Sequence, residues 1–206
     1  MSSLFIDSTY DLGLGVLDDG LNWLTFERLQ GQKASVVIQS SAYELLKKHQ
    51  INPQELKSII SINGPGFYTG LRLAEGFADV FQFFGVPHYS FYSYDIPAWC
   101  GVKSGVWFTK AYRGEYFFYH WDESGSRQEL LSGKEIAAVL EKYENVFIHS
   151  DVSLDELSRG LIKQSTSTLE MLQKNPQVIF KNVLDQKLKK EAFYFRAPED
   201  EFKANP

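Results

Sequence analysis

The sequence predicts an α/β protein made of two copies of one plan: three antiparallel strands, a helix and a further strand. Three observations carry this. Short β-branched and aromatic runs alternate with turn signals, each set of three is followed by a helical period, and the order recurs about a hundred residues later. In the first half, residues 4–8 and 13–17 read as strands, and Asp18-Asp19-Gly20 turns the chain into a third over 21–29. A helical period covers 36–49, and the run 58–62 is the closing strand. In the second half, residues 106–111 and 116–121 pair, Asp122-Glu123-Ser124-Gly125 reverses the chain, and 127–131 returns. A helix over 134–143 and a strand over 146–150 complete the repeat.

Written twice, this is the plan of actin and the sugar kinases, whose lobes are RNase H-like. The first lobe is expected to span 1–101 and to carry the interface helices; a degenerate second lobe spans 102–196. Gly101 and Gly105 flank the junction near Cys100 and Ser104. The tail 197–206, with two prolines among charged residues, is expected to be poorly ordered.

Composition narrows the functional classes. Hydrophobic residues are 44% and charged residues 23% of the 206, ordinary for a globular protein, and no apolar run approaches the length of a bilayer span. Met1-Ser2-Ser3 leads into a strand with no basic leader, and a single Cys100 permits no internal disulfide; both suit a cytoplasmic protein with no membrane contact. The net charge of −5 disfavours autonomous nucleic-acid binding. The densest basic stretch, Lys187-Leu188-Lys189-Lys190, reads as a solvated helix face.

ATPases of this fold place an acidic phosphate-contacting loop between the first two strands of each lobe. The first lobe offers Asp7-Ser8-Thr9, whereas the second places Lys110 where the carboxylate belongs, with Arg113 nearby. Half of a metal clamp is missing and no Gly-Gly pair is present, so no cofactor is expected. His49, His88, His120 and His149 lie far apart, none at metal-ligand spacing, and each reads as a surface or half-buried residue. No catalytic or metal residue is assigned.

After the strand 58–62 comes Asn63-Gly64-Pro65-Gly66-Phe67-Tyr68-Thr69-Gly70-Leu71-Arg72. The glycine spacing fits neither a dinucleotide fingerprint nor a Walker loop, and Pro65 removes a donor from the turn. Gly64, Pro65, Gly66, Thr69, Gly70 and Arg72 instead form a structural corner, with Thr69 as the expected N-cap. The helix it launches is apolar over at least half of its circumference, about twice the stripe a surface helix needs. The helix over 36–49 is similar. Ile38, Ala42, Tyr43 and Leu46 from the first helix and Leu73, Phe77, Val80, Phe81 and Phe84 from the second are the expected partner interface. Pattern alone leaves open whether Leu73-Phe77-Val80-Phe84 or Leu71-Ala74-Ala78-Phe81 is the outward arc.

The stretch Gly64-Pro65-Gly66-Phe67-Tyr68-Thr69-Gly70-Leu71-Arg72 resembles the Gly-Pro-Gly-Ser-Phe-Thr-Gly-Leu-Arg signature of the bacterial TsaB (YeaZ) family. Ile6-Asp7-Ser8-Thr9, Arg113-Gly114-Glu115-Tyr116 and Tyr194-Phe195-Arg196 with Pro198 are similar to further stretches of that family, in the same order. The resemblance implies a non-catalytic scaffold in threonylcarbamoyladenosine formation on tRNA. It would pair through its N-lobe helices with the catalytic paralogue TsaD, joined by the ATPase TsaE, or self-associate through the same helices. Contact with tRNA would come only through the complex. Phe67, Tyr68, Ala34, Lys110 and Val80 depart from the family's pattern. An independent ATP-dependent kinase or hydrolase of the same fold is the competing reading; a peptidase is disfavoured by the lack of paired histidine ligands.

Overall fold

The computed structural model describes residues 2–111, 114–149 and 165–195. Among these residues there are two five-stranded sheets. In the first, β1 (Ser3–Asp7), β2 (Leu12–Leu17) and β3 (Trp23–Leu29) form an antiparallel meander. The chain then passes through α1 (Ala34–Lys48) to β4 (Ser58–Ile62), which lies parallel to β1 with Ser3 opposite Ser58 and Asp7 opposite Ile62. Helix α2 (Tyr68–Phe83) leads to β5 (His88–Phe91), parallel to β4, giving the order β3-β2-β1-β4-β5.

The second sheet repeats the scheme. β6 (Gly105–Lys110), β7 (Glu115–Asp122) and β8 (Gly125–Ser132) form the meander, α4 (Gly133–Leu140) follows, and β9 (Val146–Ile148) lies parallel to β6. A two-residue β10 (Thr166–Ser167) completes the order β10-β9-β6-β7-β8. Both sheets share one strand order, so the duplicated α/β plan read from the sequence is the fold. Short α3 (Ile96–Trp99), α5 (Thr168–Lys174) and α6 (Pro176–Asp185) lie outside the repeat.

The compact units are not the linear halves expected. One comprises the chain up to Tyr92 together with the residues from Phe180 onward; the other is Ser93–Ile179. Contact chemistry explains the shift from a boundary at 101/102. Tyr94 stacks on Tyr119 at 4.1 Å between ring centroids and meets Trp107 edge-on, so residues from Ser93 belong to the second sheet. Phe180 returns to the first sheet, packing edge-on against Phe5, Trp23 and Phe91. The tail 197–206, Arg113 and Arg196 lie outside the described residues.

The first core is built from alternate residues of the meander (Leu4, Ile6, Leu12, Leu14, Val16) closed by α1 and α2. In the second unit, Val106, Phe108, Tyr116 and Phe118 pack beneath Ile136 and Leu140 of α4. Helix α4 starts on a reciprocal capping box: Ser132 Oγ accepts from Glu135 N–H, and the Glu135 carboxylate accepts from Ser132 N–H at 2.8 Å. Hydrogen bonding from the Ser132 hydroxyl, then from its N–H, holds the Glu135 carboxyl below the usual range.

Candidate functional site

The site begins at the end of β4, where the chain enters the glycine corner. Gly64 has φ +115° and precedes a cis peptide to Pro65. Gly70 sits so close to the first loop that a Cβ there would run into the carbonyl oxygen of Ser8, whose hydroxyl in turn donates to the Gly70 carbonyl at 2.7 Å. These contacts hold the start of α2 against the turn that follows β1. In that turn, Asp7 Oδ1 accepts from the backbone N–H and the hydroxyl of Thr9, at 3.0 and 2.7 Å. The carboxylate that would face a metal in an ATPase here organises its own loop.

Helix α2 begins one residue before Thr69. Its N-cap is Phe67, in extended conformation and with no side-chain cap, and Leu71 N–H bonds to the Phe67 carbonyl. Thr69 therefore sits exposed within the first turn and does not cap. Arg72 is exposed on that turn, with its guanidinium 5.7 Å from the Tyr68 ring and 5.6 Å from the Tyr194 ring.

The corner is not an open cradle. Gly66 N–H donates to Phe193 O, Phe67 N–H to Thr9 O, and Phe193 N–H to Asn63 O. Two of the corner's donors, the N–H groups of Gly66 and Phe67, are spent on a C-terminal segment that lies along β5 and on the first loop. That segment pairs through Ser90 N–H to Leu188 O and Lys190 N–H to Ser90 O. The basic stretch 187–190 is accordingly no helix face: Lys187 is exposed with φ +49°, Lys189 is exposed but sends its ammonium to His88, and Lys190 is half-buried with its ammonium over the Tyr92 ring.

Lys189 meets a histidine that sequence reading placed at or near the surface. His88 is buried, its Nδ1 accepting from Lys189 Nζ at 2.6 Å. With Nδ1 accepting, the proton lies on Nε2, which donates to Ser61 Oγ at 2.8 Å. Burial, then the Lys189 charge, pushes His88 down to about 4. The relay continues from Ser61 to Asn63 Oδ1 and from Asn63 Nδ2 to Glu75 Oε1 on α2, where Arg72 pairs with the other carboxylate oxygen at 3.1 Å. His149 is likewise buried, against Thr168 Oγ1 at 2.9 Å. Two of the four histidines thus contradict the surface reading, each because a hydroxyl on a neighbouring element satisfies its ring. Among the described residues no cluster of metal-ligating side chains is present.

The nine expected interface residues divide. Ile38, Ala42 and Leu46 belong to the core, as do Leu71, Ala74 and Ala78, which face the sheet. The sheet-facing arc of α2 is the one with small residues, because close helix–sheet approach leaves no room there for phenylalanine. The outward arc is Leu73-Phe77-Val80-Phe84. Leu73, Phe77 and Phe81 are half-buried at its margin, Val80 and Phe84 are 56% and 57% exposed, and Tyr43 is 60% exposed on α1. Phe83, at 87%, and Val36, at 73%, are exposed apolar residues that pattern did not select. Leu73, Gly76, Phe77 and Val80 line a groove of about 330 Å³ against Ile38 and Gln39 of α1; Val80, Phe81 and Phe84 line a second, of about 170 Å³, beside Pro53 and Gln54.

The fold places the chain among known structures. No family model matches it, and no curated protein matches it. Among solved structures, YeaZ from Pseudomonas aeruginosa aligns with a TM-score of 0.51 at 17% identity, over 71% of this chain and 74% of that one. An uncharacterized protein with similarity to peptidase YeaZ, also from Pseudomonas aeruginosa, aligns at 0.59 and 16% identity over 93% and 99%. The activator of 2-hydroxyisocaproyl-CoA dehydratase from Clostridium difficile, solved with bound ADPNP, aligns at 0.52 and 10% over 92% and 98%. This chain has a YeaZ-like fold. At these identities the likeness is one of fold, so function rests on the site. Lys110, at the position where the strand plan looked for a second carboxylate, ends β6 and is half-buried. No helix among the described residues is long and apolar enough to cross a membrane.

Proposed function

We propose that this chain is a non-catalytic TsaB-type subunit of the machinery that places threonylcarbamoyl on the adenosine beside the tRNA anticodon. Its task is to bind and organise a TsaD-like catalytic paralogue, with a TsaE-like ATPase joining the pair and tRNA contacted only by the assembly. The observation that carries this reading is the outward apolar arc of α2, on a helix whose inner arc already closes the core. An arc of exposed Val80, Phe83 and Phe84 is more apolar surface than a lone helix leaves in water. The filled glycine corner, Lys110 and the YeaZ-like fold support the same reading. Self-association through the same helices would bury that surface when the partner is absent.

The test is size-exclusion chromatography with light scattering on the chain mixed with the TsaD of its own organism. A stable heterodimer at micromolar concentration, weakened by Val80→Asp, supports the proposal; separate elution overturns it. The competing reading, an independent ATP-dependent kinase or hydrolase, draws on the shared fold of the activator solved with ADPNP. Magnesium-dependent turnover by the chain alone, lost in Asp7→Asn, would favour it.

A further inference from the structure

We infer that residues 188–195 are an intramolecular strap whose occupancy of a groove along β5 and the glycine corner fixes the first turn of α2. The inference goes beyond the partner proposal and does not depend on what docks on the helix. It starts from a deficiency: α2 has no side-chain N-cap and no acidic residue in its first turn, so its entry is held by tertiary contacts, those of Gly70 with Ser8 on one side. What lies against that entry is the strap.

The strap is bound as an added strand is bound, by main-chain pairs with side chains seated between. Its backbone meets Ser90, Asn63 and Gly66, and the Lys190 carbonyl accepts from Asn63 Nδ2 and Ser90 Oγ, both at 2.8 Å. Tyr92 OH donates to Glu191 O at 3.0 Å. Three ring pairs follow in register: Phe193 on Tyr92, Tyr194 on Tyr68, and Phe195 on Phe67. The passage is so close that a Cβ on Gly64 would stand 2.6 Å from Phe193 O.

Three of these contacts reach α2 itself. Tyr68 is its first residue, the Arg72 guanidinium sits beside the paired Tyr68 and Tyr194 rings, and Glu75 is joined to the strap through Asn63. Lys189 pins the other end of the strap to His88. Releasing the strap therefore strips Tyr68, Arg72 and Glu75 of their partners there, while Gly70 keeps its contact with Ser8 and the sheet and α1 keep their own.

Hydrogen exchange with mass spectrometry on the full-length chain tests this, comparing wild type with Tyr194→Ala and Lys189→Met. The expected result is at least tenfold faster exchange across residues 71–75 in both variants, with α1 and β6 to β8 unchanged. Glu191→Ala, where only the carbonyl is used, is expected to match wild type. Fast exchange in 189–194 with full protection kept at 71–75 overturns the inference, and so does faster exchange throughout the molecule in both variants. Should Tyr194→Ala fail to fold, Lys189→Met alone decides between these outcomes.

Discussion

The Lys189 ammonium donates to the Nδ1 of His88 at 2.6 Å, a bond between residues 101 positions apart in the chain. It fixes the tautomer of the buried ring and makes the ring intolerant of a proton. Ser61 on β4 occupies the other nitrogen, and the carboxylates of Glu75 and Asp79 act on Lys189 from α2. With the folded state holding His88 near 4 and the unfolded state near the ordinary 6.5, the unfolded chain takes up the proton first. The contribution is full above pH 6.5 and declines as the pH falls through 6.5 to 4, by at most about 3 kcal/mol. Urea midpoints measured from pH 7.5 down to 4.5 are expected to fall along this window, and His88→Gln is expected to flatten that part of the profile.

Two glycines of α2 should respond in opposite directions. Gly70→Ala places a methyl against the Ser8 carbonyl and is expected to destabilise by about 3 kcal/mol or more. Gly76→Ala meets open space in the middle of the helix and is expected to stabilise by about 0.5–1 kcal/mol. Denaturant titration of both variants checks the contrast. If docking uses the groove that Gly76 lines, the more stable variant will also bind the partner less tightly.

The division of α2 into inner and outer arcs predicts a second contrast. Val80→Asp and Phe84→Asp change stability by no more than about 1 kcal/mol, since both side chains are more than half exposed. Ala78→Asp buries an unpaired carboxylate against the sheet and is expected to unfold the chain, at a cost of about 4 kcal/mol or more. Thermal melts separate the two classes, and only the first class can report on partner affinity.

Asp7 serves its own loop, and its replacement should cost stability. Asp7→Ala leaves the Thr9 N–H and hydroxyl without their acceptor and is expected to destabilise by about 2 kcal/mol. Asp7→Asn, which keeps an acceptor oxygen, should recover part of that loss. Equilibrium unfolding of the two variants measures the difference.

The strand plan was legible because β-branched runs and hairpin turns are local signals, and they occur twice in the same order. Residues 58–62 were placed without error, since the run is bounded on both sides. The facing of α2 was not legible, because both of its arcs are apolar. What separates them is side-chain size against the sheet, a property of packing distance and not of hydrophobic period. Ile38, Ala42 and Leu46 were misassigned to the surface for a related reason: a wide apolar arc on α1 cannot be divided without knowing where the sheet lies. The turn of Lys189 toward His88 left no trace in the basic run that contains it. A charged residue bound across 101 positions carries no local pattern. Tyr194 and Phe195 were visible only as part of a family-like motif; that they seat on Tyr68 and Phe67 is a tertiary fact.

The interruption of the first unit by Ser93–Ile179 also bears on how the chain is made. Residues 93–179 are continuous and can close as soon as they leave the ribosome. The amino-terminal unit, although translated first, lacks Phe180 against Phe5 and the segment beyond Leu188 until those residues have been made. The middle of this sequence can therefore complete its fold before the beginning does.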